Sequence, residues 1–241
     1  MFQNCKALKE LNIDKFKVQK VINMNYMFKG CNNIESLNLS HFITSACKSM
    51  KEMFYLCSNL KQLDISGFDI KSVITMTSMF LNCSKLFSLK LPIFNPYSNY
   101  GRDLKYLKYT FYGCSSLSSL NFQNLKAEGL ERTDFMFYQC NNLSELDLSD
   151  FKTNSVLKMQ YMFYNCFNLE ILIFSNSLDC SKVDDMSYMF YNCSKLSRIN
   201  TLSQTQYNVN ISKNMSHMFY NCSSLNSLNF DTSKKFYIND L

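Results

Sequence analysis

The chain has no tryptophan, two prolines, five glycines and two histidines in 241 residues. Each shortage excludes something. Five dispersed glycines cannot build the Gly-rich loop that cradles a phosphate. His41 and His217 stand at unrelated places, and nothing near either supplies the nucleophile and orienting acid of a catalytic triad. The one tight carboxylate pair, Asp184 and Asp185, lacks the companion oxygens of a calcium or magnesium site. No apolar run reaches the roughly 18 residues of a membrane-crossing helix. The net charge is +6, yet no lysine/arginine block is dense enough to read as a nucleic-acid or membrane patch. The expectation is no catalytic centre, no cofactor, no metal, no nucleic-acid partner and no membrane span.

What the chain does hold is 11 Cys, 14 Met, 21 Phe and 15 Tyr, and they recur. A unit opens at Met1, Met27, Met53, Met79, Thr110, Met136, Met162, Met189 and Met218. Its clearest form runs Met53-Phe54, Cys57, Leu60, Leu63, Ile65, Phe68, Val73, Met76; Met136, Phe137, Cys140, Leu143, Leu146, Leu148, Phe151, Val156 and Met159 repeat it. Self-similarity at one period identifies a solenoid, because one coil cannot bury its own apolar face while stacked coils can. The alternation Leu146-Asp147-Leu148 has period two and predicts a short strand with one buried face. The spacing near three from Val to Met predicts a bend, a 3₁₀ turn or a short arc, and no long helix. The fold expected is a leucine-rich-repeat-like solenoid over residues 1–241, with a parallel β-sheet of short strands, about nine coils of about 26 residues, and 3₁₀ or short helical turns. Met1 already stands inside the repeat, so the sequence reads as a fragment of a longer array.

The segments Met189 to Leu196, Met218 to Leu225 and Leu146 to Phe151 resemble the BspA-like leucine-rich repeats of microbial surface proteins. The likeness covers essentially the whole chain. It implies a parallel sheet along one side, a cell-surface or secreted setting, and adhesion to a protein or glycan partner. It supplies no catalytic residue, and the chain is expected not to be an enzyme. Two other readings stand beside adhesion: a structural spacer in a surface stalk, and an intracellular scaffold.

Irregular copies mark expected surface loops. The fourth is lengthened between Pro92 and Gly101, within a loop expected near 92–103, and the eighth departs from the pattern between Thr201 and Ser212. A break into two domains near 92–103 is the alternative there. The stretch Asp231 to Leu241 lacks the closing Met-x-x-Met-Phe.

Nine cysteines form one column: Cys5, Cys31, Cys57, Cys83, Cys114, Cys140, Cys166, Cys193 and Cys222. Stacked equivalents hold their Cβ atoms about 4.8 Å apart, wider than the roughly 3.5–4.5 Å of a disulfide. A line of thiols also cannot converge on zinc. The column is therefore expected to fill inward corners as small apolar groups. Such free thiols suit a reducing compartment, so a cytoplasmic setting stays open against the surface setting. Cys180 stands apart, either as a reactive thiol or as a buried loop anchor.

Two outward columns are candidate binding surfaces. One follows the strand: Asn12, Asn38, Asp64, Lys90, Asn121, Asp147, Ile173, Asn200 and Asn229. Asn and Asp are poor strand formers, so the column is either a hydrogen-bonding ladder or a solubility device. The other follows the Phe: Tyr55, Tyr112, Tyr138, Tyr164, Tyr191 and Tyr220. Tyrosine suits recognition because it offers large area with few rotors, although the rings could equally stack and seal the coil edge. Asn-x-Ser sequons at Asn38, Asn82, Asn142, Asn192, Asn210, Asn214 and Asn221 arise mostly from the repeat and say little about secretion.

Overall fold

The computed structural model describes residues 1–92, 103–123, 125, 127–174, 179–201 and 214–226, with backbone alone at 200 and 201. The two expected insertions beyond Pro92 and Thr201, the segment Asp231 to Leu241, the sequon at Asn210 and the column position Asn229 lie outside these residues.

The chain is a parallel β-solenoid. Among the described residues six short strands are formed: β1 (Ser36–Asn38), β2 (Gln62–Asp64), β3 (Ser88–Lys90), β4 (Glu145–Leu148), β5 (Ile171–Phe174) and β6 (Arg198–Thr201). They make two parallel three-stranded sheets, β1-β2-β3 and β4-β5-β6. The register is the repeat itself, with Leu37 opposite Leu63, Leu63 opposite Leu89, and Leu146 opposite Leu172. The alternation predicted from Leu-x-Leu is seen in β4, whose four residues run exposed, buried, exposed, buried. Among the described residues the coil before β4 forms no strand of its own and pairs with β4 through the Asn121–Asp147 bridge.

Of the forms expected for the arc that carries the methionines, the structure takes the bend and not the 3₁₀ or short helical turn. Among the described residues there is no 3₁₀ or α-helical segment; the arc is a chain of hydrogen-bonded β-turns. In the third coil Met53 N–H donates to the Met50 carbonyl, Cys57 N–H to Phe54 and Leu60 N–H to Cys57. The third residue of the first two turns is left-handed, Glu52 at φ 55° and Leu56 at φ 60°. A negative φ followed by a positive one is the type II signature, and it stops the chain from continuing as a 3₁₀ helix. The same two positions are left-handed throughout, from Asn4, Tyr26 and Gly30 to Tyr188, Asn192, His217 and Asn221.

This alternation satisfies the backbone completely along the arc. Every second amide closes a turn inside its own coil. The others reach the next coil: Met24 N–H donates to Ser49, Tyr26 to Lys51, Phe28 to Met53 and Gly30 to Tyr55, at 2.8–3.0 Å. The spacing near three read from the sequence is thus the turn period, which aims Met50, Met53, Phe54, Cys57 and Leu60 inward. Glycine fits the second left-handed position at Gly30 and Gly113 for two reasons. Their φ values are 72° and 69°, and a Cβ there would run into the Oδ1 of Asn4 or Asn82 in the preceding coil.

Nine phenylalanines stack down the centre, Phe2, Phe28, Phe54, Phe80, Phe111, Phe137, Phe163, Phe190 and Phe219, with ring centroids 5.3–5.6 Å apart. Burying one such ring contributes roughly 2–3 kcal/mol, and parallel stacking about 0.5–1.5 kcal/mol more. The stack and the backbone ladder both cross from the fourth copy to the fifth, through Phe80–Phe111 and the bond from Phe80 N–H to Thr110. Thr110, which replaces the opening Met, is fully buried, and its hydroxyl donates to the Leu107 and Met76 carbonyls.

Candidate functional site: two outward columns

The cysteine column is inward from Cys31 to Cys193, and every thiol in it has an acceptor. Cys57 Sγ donates to the Phe28 carbonyl at 3.1 Å, Cys140 to Phe111 at 3.1 Å and Cys193 to Phe163 at 3.1 Å, each reaching one coil back. Burial pushes the thiol of Cys57, and that of Cys166, up to about 12, and those of Cys83, Cys140 and Cys193 well above the ordinary range. A thiol held protonated is neither a nucleophile nor a metal ligand. The column ends differ from the expectation of an inward corner. Cys5 is exposed and Cys222 half-buried, because each lies in an outermost described coil. Cys180 is buried, and desolvation raises its thiol to about 12, so of the two readings it is the loop anchor. All the cysteines are free thiols. Among the described residues no three His, Cys, Asp or Glu side chains converge as metal ligands would.

The strand column lies on the exposed face of the two sheets, and the structure shows why it is rich in Asn and Asp. Each side-chain oxygen accepts the amide two residues on and turns the chain out of the strand. Asn12 Oδ1 accepts from Asp14 N–H at 3.1 Å, Asn38 from Ser40 at 3.0 Å, Asp64 from Ser66 at 3.0 Å, Asn121 from Gln123 at 2.8 Å and Asp147 from Ser149 at 2.8 Å. These are Asx turns, a local function for which Asn and Asp are the suited residues. Lys90 Nζ lies 3.4 Å from the far oxygen of Asp64; against partial burial, the Ser66 hydrogen bonds first and Lys90 second hold the Asp64 carboxyl below its usual range. Ser36, Asn38, Gln62, Asp64, Ser88 and Lys90 line a shallow open recess of about 290 Å³ over the first sheet. On the second sheet Ile171 and Ile173 interrupt the polar face, and Asn200 lies opposite Ile173.

The tyrosine column is divided. Tyr112, Tyr138, Tyr164, Tyr191 and Tyr220 stack face to face at 4.4–4.8 Å. Tyr55 is separate: Leu81 holds the equivalent place in the fourth coil, and the Lys29 ammonium lies 4.5 Å over the Tyr55 ring. Lys29 also pairs with Glu52 at 2.6 Å. Burial, then the neighbouring phenols Tyr112 and Tyr164, raise the Tyr138 hydroxyl to about 12.

Beside it runs a second aromatic row that the sequence reading missed: Tyr109, Phe135, Tyr161, Tyr188 and His217, stacked at 4.7–4.9 Å. These are the residues immediately before each Met or Thr opening, and they occupy the first left-handed position. Their recurrence is visible in the chain. Their place beside the tyrosines is not, since it depends on the turn that sets Tyr161 and Tyr164 side by side with centroids 5.6 Å apart. Together the rows form a ten-ring face along the last five coils, every ring at least partly exposed and Tyr220 48% so. The same positions in the earlier coils carry Tyr26 and Lys29, Glu52 and Tyr55, Ser78 and Leu81.

The solved structures most similar in fold include a leucine-rich repeat protein of T. pallidum, at 19% identity and TM-score 0.47, over 80% of this chain and 72% of that one. A leucine-rich repeat protein of Bacteroides ovatus aligns over 93% of this chain and 67% of that one, at 21% identity and TM-score 0.29. An internalin of Listeria monocytogenes aligns at 12% identity and TM-score 0.38, and this chain spans 49% of its length. No curated protein matches the chain. A family model for Mycoplasma proteins of unknown function, DUF285, matches residues 1–95 and 105–233.

Proposed function

The chain belongs to the DUF285 family of Mycoplasma proteins of unknown function, and we propose that it is a non-catalytic module that binds a protein or glycan partner at the cell surface. One observation carries the reading: side chains of matched chemistry recur in register on the outside of a rigid core, coil after coil. Such columns repeat one small contact many times, and repetition multiplies weak contacts into useful affinity. Asn38, Asp64, Lys90 and Asp147 offer the polar sheet face; Asn12 and Asn121 extend the same column, and Asn200 and Asn229 are its equivalents in the sequence repeat. The tyrosine row offers the other surface. The surface setting follows the resemblance to BspA-like repeats, and buried, protonated thiols are compatible with it.

The test is capture of partners from surface extracts and on glycan arrays, with variants chosen to keep the fold. Asp64→Asn and Asp147→Asn keep the oxygen that makes the Asx turn and remove only charge. Tyr112→Ser with Tyr191→Ser strips the other column. Loss of a captured partner in either set supports the reading. Capture indifferent to both sets removes the columns from the interface, and turnover in an activity screen would overturn the non-catalytic assignment.

A further inference from the structure

The ten-ring face and the distribution of charge point to a specific occupant. Residues 1–92 hold twelve lysines against six acidic residues, a net of +6, whereas residues 93–241 hold thirteen basic and thirteen acidic residues, a net of zero. All the net charge therefore sits in the first coils, and the aromatic face sits on the neutral ones. Where the face would continue into the first coils, it becomes charged, with Lys29, Lys51 and Glu52.

The rings are not free platforms. Each is stacked on its neighbours along the solenoid, so partners meet ring edges and phenol hydroxyls at a repeat of 4.4–4.9 Å. A surface of aromatic side chains at one coil spacing is addressed evenly only by a partner with the same spacing. A second copy of this chain has it, and rows at the strand spacing interdigitate as paired sheets do in dry zippers. Tyrosine is also enriched at the buried centre of interfaces, and lysine is depleted there.

We infer that the aromatic face of the last five coils is a self-association surface, joining two copies antiparallel with their basic first coils pointing apart. A closed pair of this kind is isologous, so the middle coil of the five lies on the two-fold axis. That coil carries Tyr161 and Tyr164, and Tyr164 of one copy meets Tyr164 of the other. The face is about 19 Å long from Tyr112 to Tyr220 by its four ring spacings. So small a footprint falls in the weak class of interface, and a micromolar dimer is expected. The arrangement gives the tyrosine row to a second copy and leaves the polar sheet face open for a foreign partner, so self-association and capture through the sheet face can each fail without the other.

Sedimentation velocity on the full chain across the micromolar range tests it. The wild type should move from monomer to dimer with concentration and remain dimeric in high salt. Tyr164→Lys and Tyr164→Glu, each alone, should be monomeric, because like charges meet on the axis. Mixed in equal amounts they should form the heterodimer, which a merely unfolded variant could not do. Tyr55→Lys, on the charged first coils, should dimerise as wild type does. A wild type that stays monomeric throughout, a Tyr164→Lys variant that dimerises normally, or a mixture that stays monomeric overturns the proposal.

Discussion

At the scale of single residues, the cysteine is where chemistry gives way to packing. Its thiol fills a corner and donates to a carbonyl one coil back. Cys140→Ala should cost about 1–2 kcal/mol, the sum of a small lost group and one modest hydrogen bond. Cys140→Asp should cost several times more, since an unpaired carboxylate would be buried. Denaturant melts of the two variants check this, and equal small effects would show that the column is not inward. The thiols also carry a pH dependence. In the unfolded chain they ionise near 8.5, while in the fold Cys57, Cys166 and Cys180 hold their protons to about 12. Between those values the unfolded state binds fewer protons, so stability falls as pH rises. It should be flat in this respect below about pH 8.5 and decline above it by up to about 1.4 kcal/mol per unit per thiol. A Tm series from pH 7 upward, with Cys→Ala variants losing part of the slope, measures it. In the native state a thiol reagent should modify Cys5 quickly, Cys222 slowly and the buried thiols only on unfolding.

At the scale of the element, the arc is held by turns that demand left-handed residues; the second such position is Asn or Gly in every copy except at Leu56 and Gln139, while the first is never either. Leu56 has φ 60° with its side chain 37% exposed, so little packing is lost if it is removed. Leu56→Gly should therefore stabilise by about 0.5–1 kcal/mol, and Leu56→Val should destabilise by at least as much, because a β-branched residue resists this region most. Thermal melts of the pair decide it; a loss with glycine would mean that the Leu56 contacts outweigh the strain. In the later coils the aromatic rows offset the same strain, because Tyr161 and Tyr188 stack from left-handed positions. The strand column belongs to this scale as well. Asn and Asp were legible there as a column, while their role as turn oxygens required the geometry of the Asp64–Ser66 and Asp147–Ser149 bonds.

For the molecule as a whole, the repeat makes stability a sum over coils and the contacts between neighbours. Deleting residues 53–78 removes one unit and joins Glu52 to Met79, so Phe28 would stack on Phe80 in unchanged register. The shortened chain should keep a β-type circular dichroism spectrum and a cooperative melt. A deletion that leaves out part of a unit should lose both, since the phenylalanine stack and the backbone ladder would slip together. Equal behaviour of the two deletions would show that register is not set by the repeat.

The sequence by itself determined the solenoid, its strands and the inward set of Phe, Met, Cys and Leu, because a pattern recurring in register leaves one way for every copy to bury the same side chains. Tertiary structure decided the rest. The spacing near three is compatible with a 3₁₀ turn and with consecutive β-turns; the amides reaching the next coil select the turns, and no single coil contains that information. It likewise decided that Cys180 is an anchor, that Tyr55 stands apart from the other tyrosines, and that two rows of rings form one face. Each of these depends on which side chains of neighbouring coils meet, and a sequence read one residue at a time does not contain those distances.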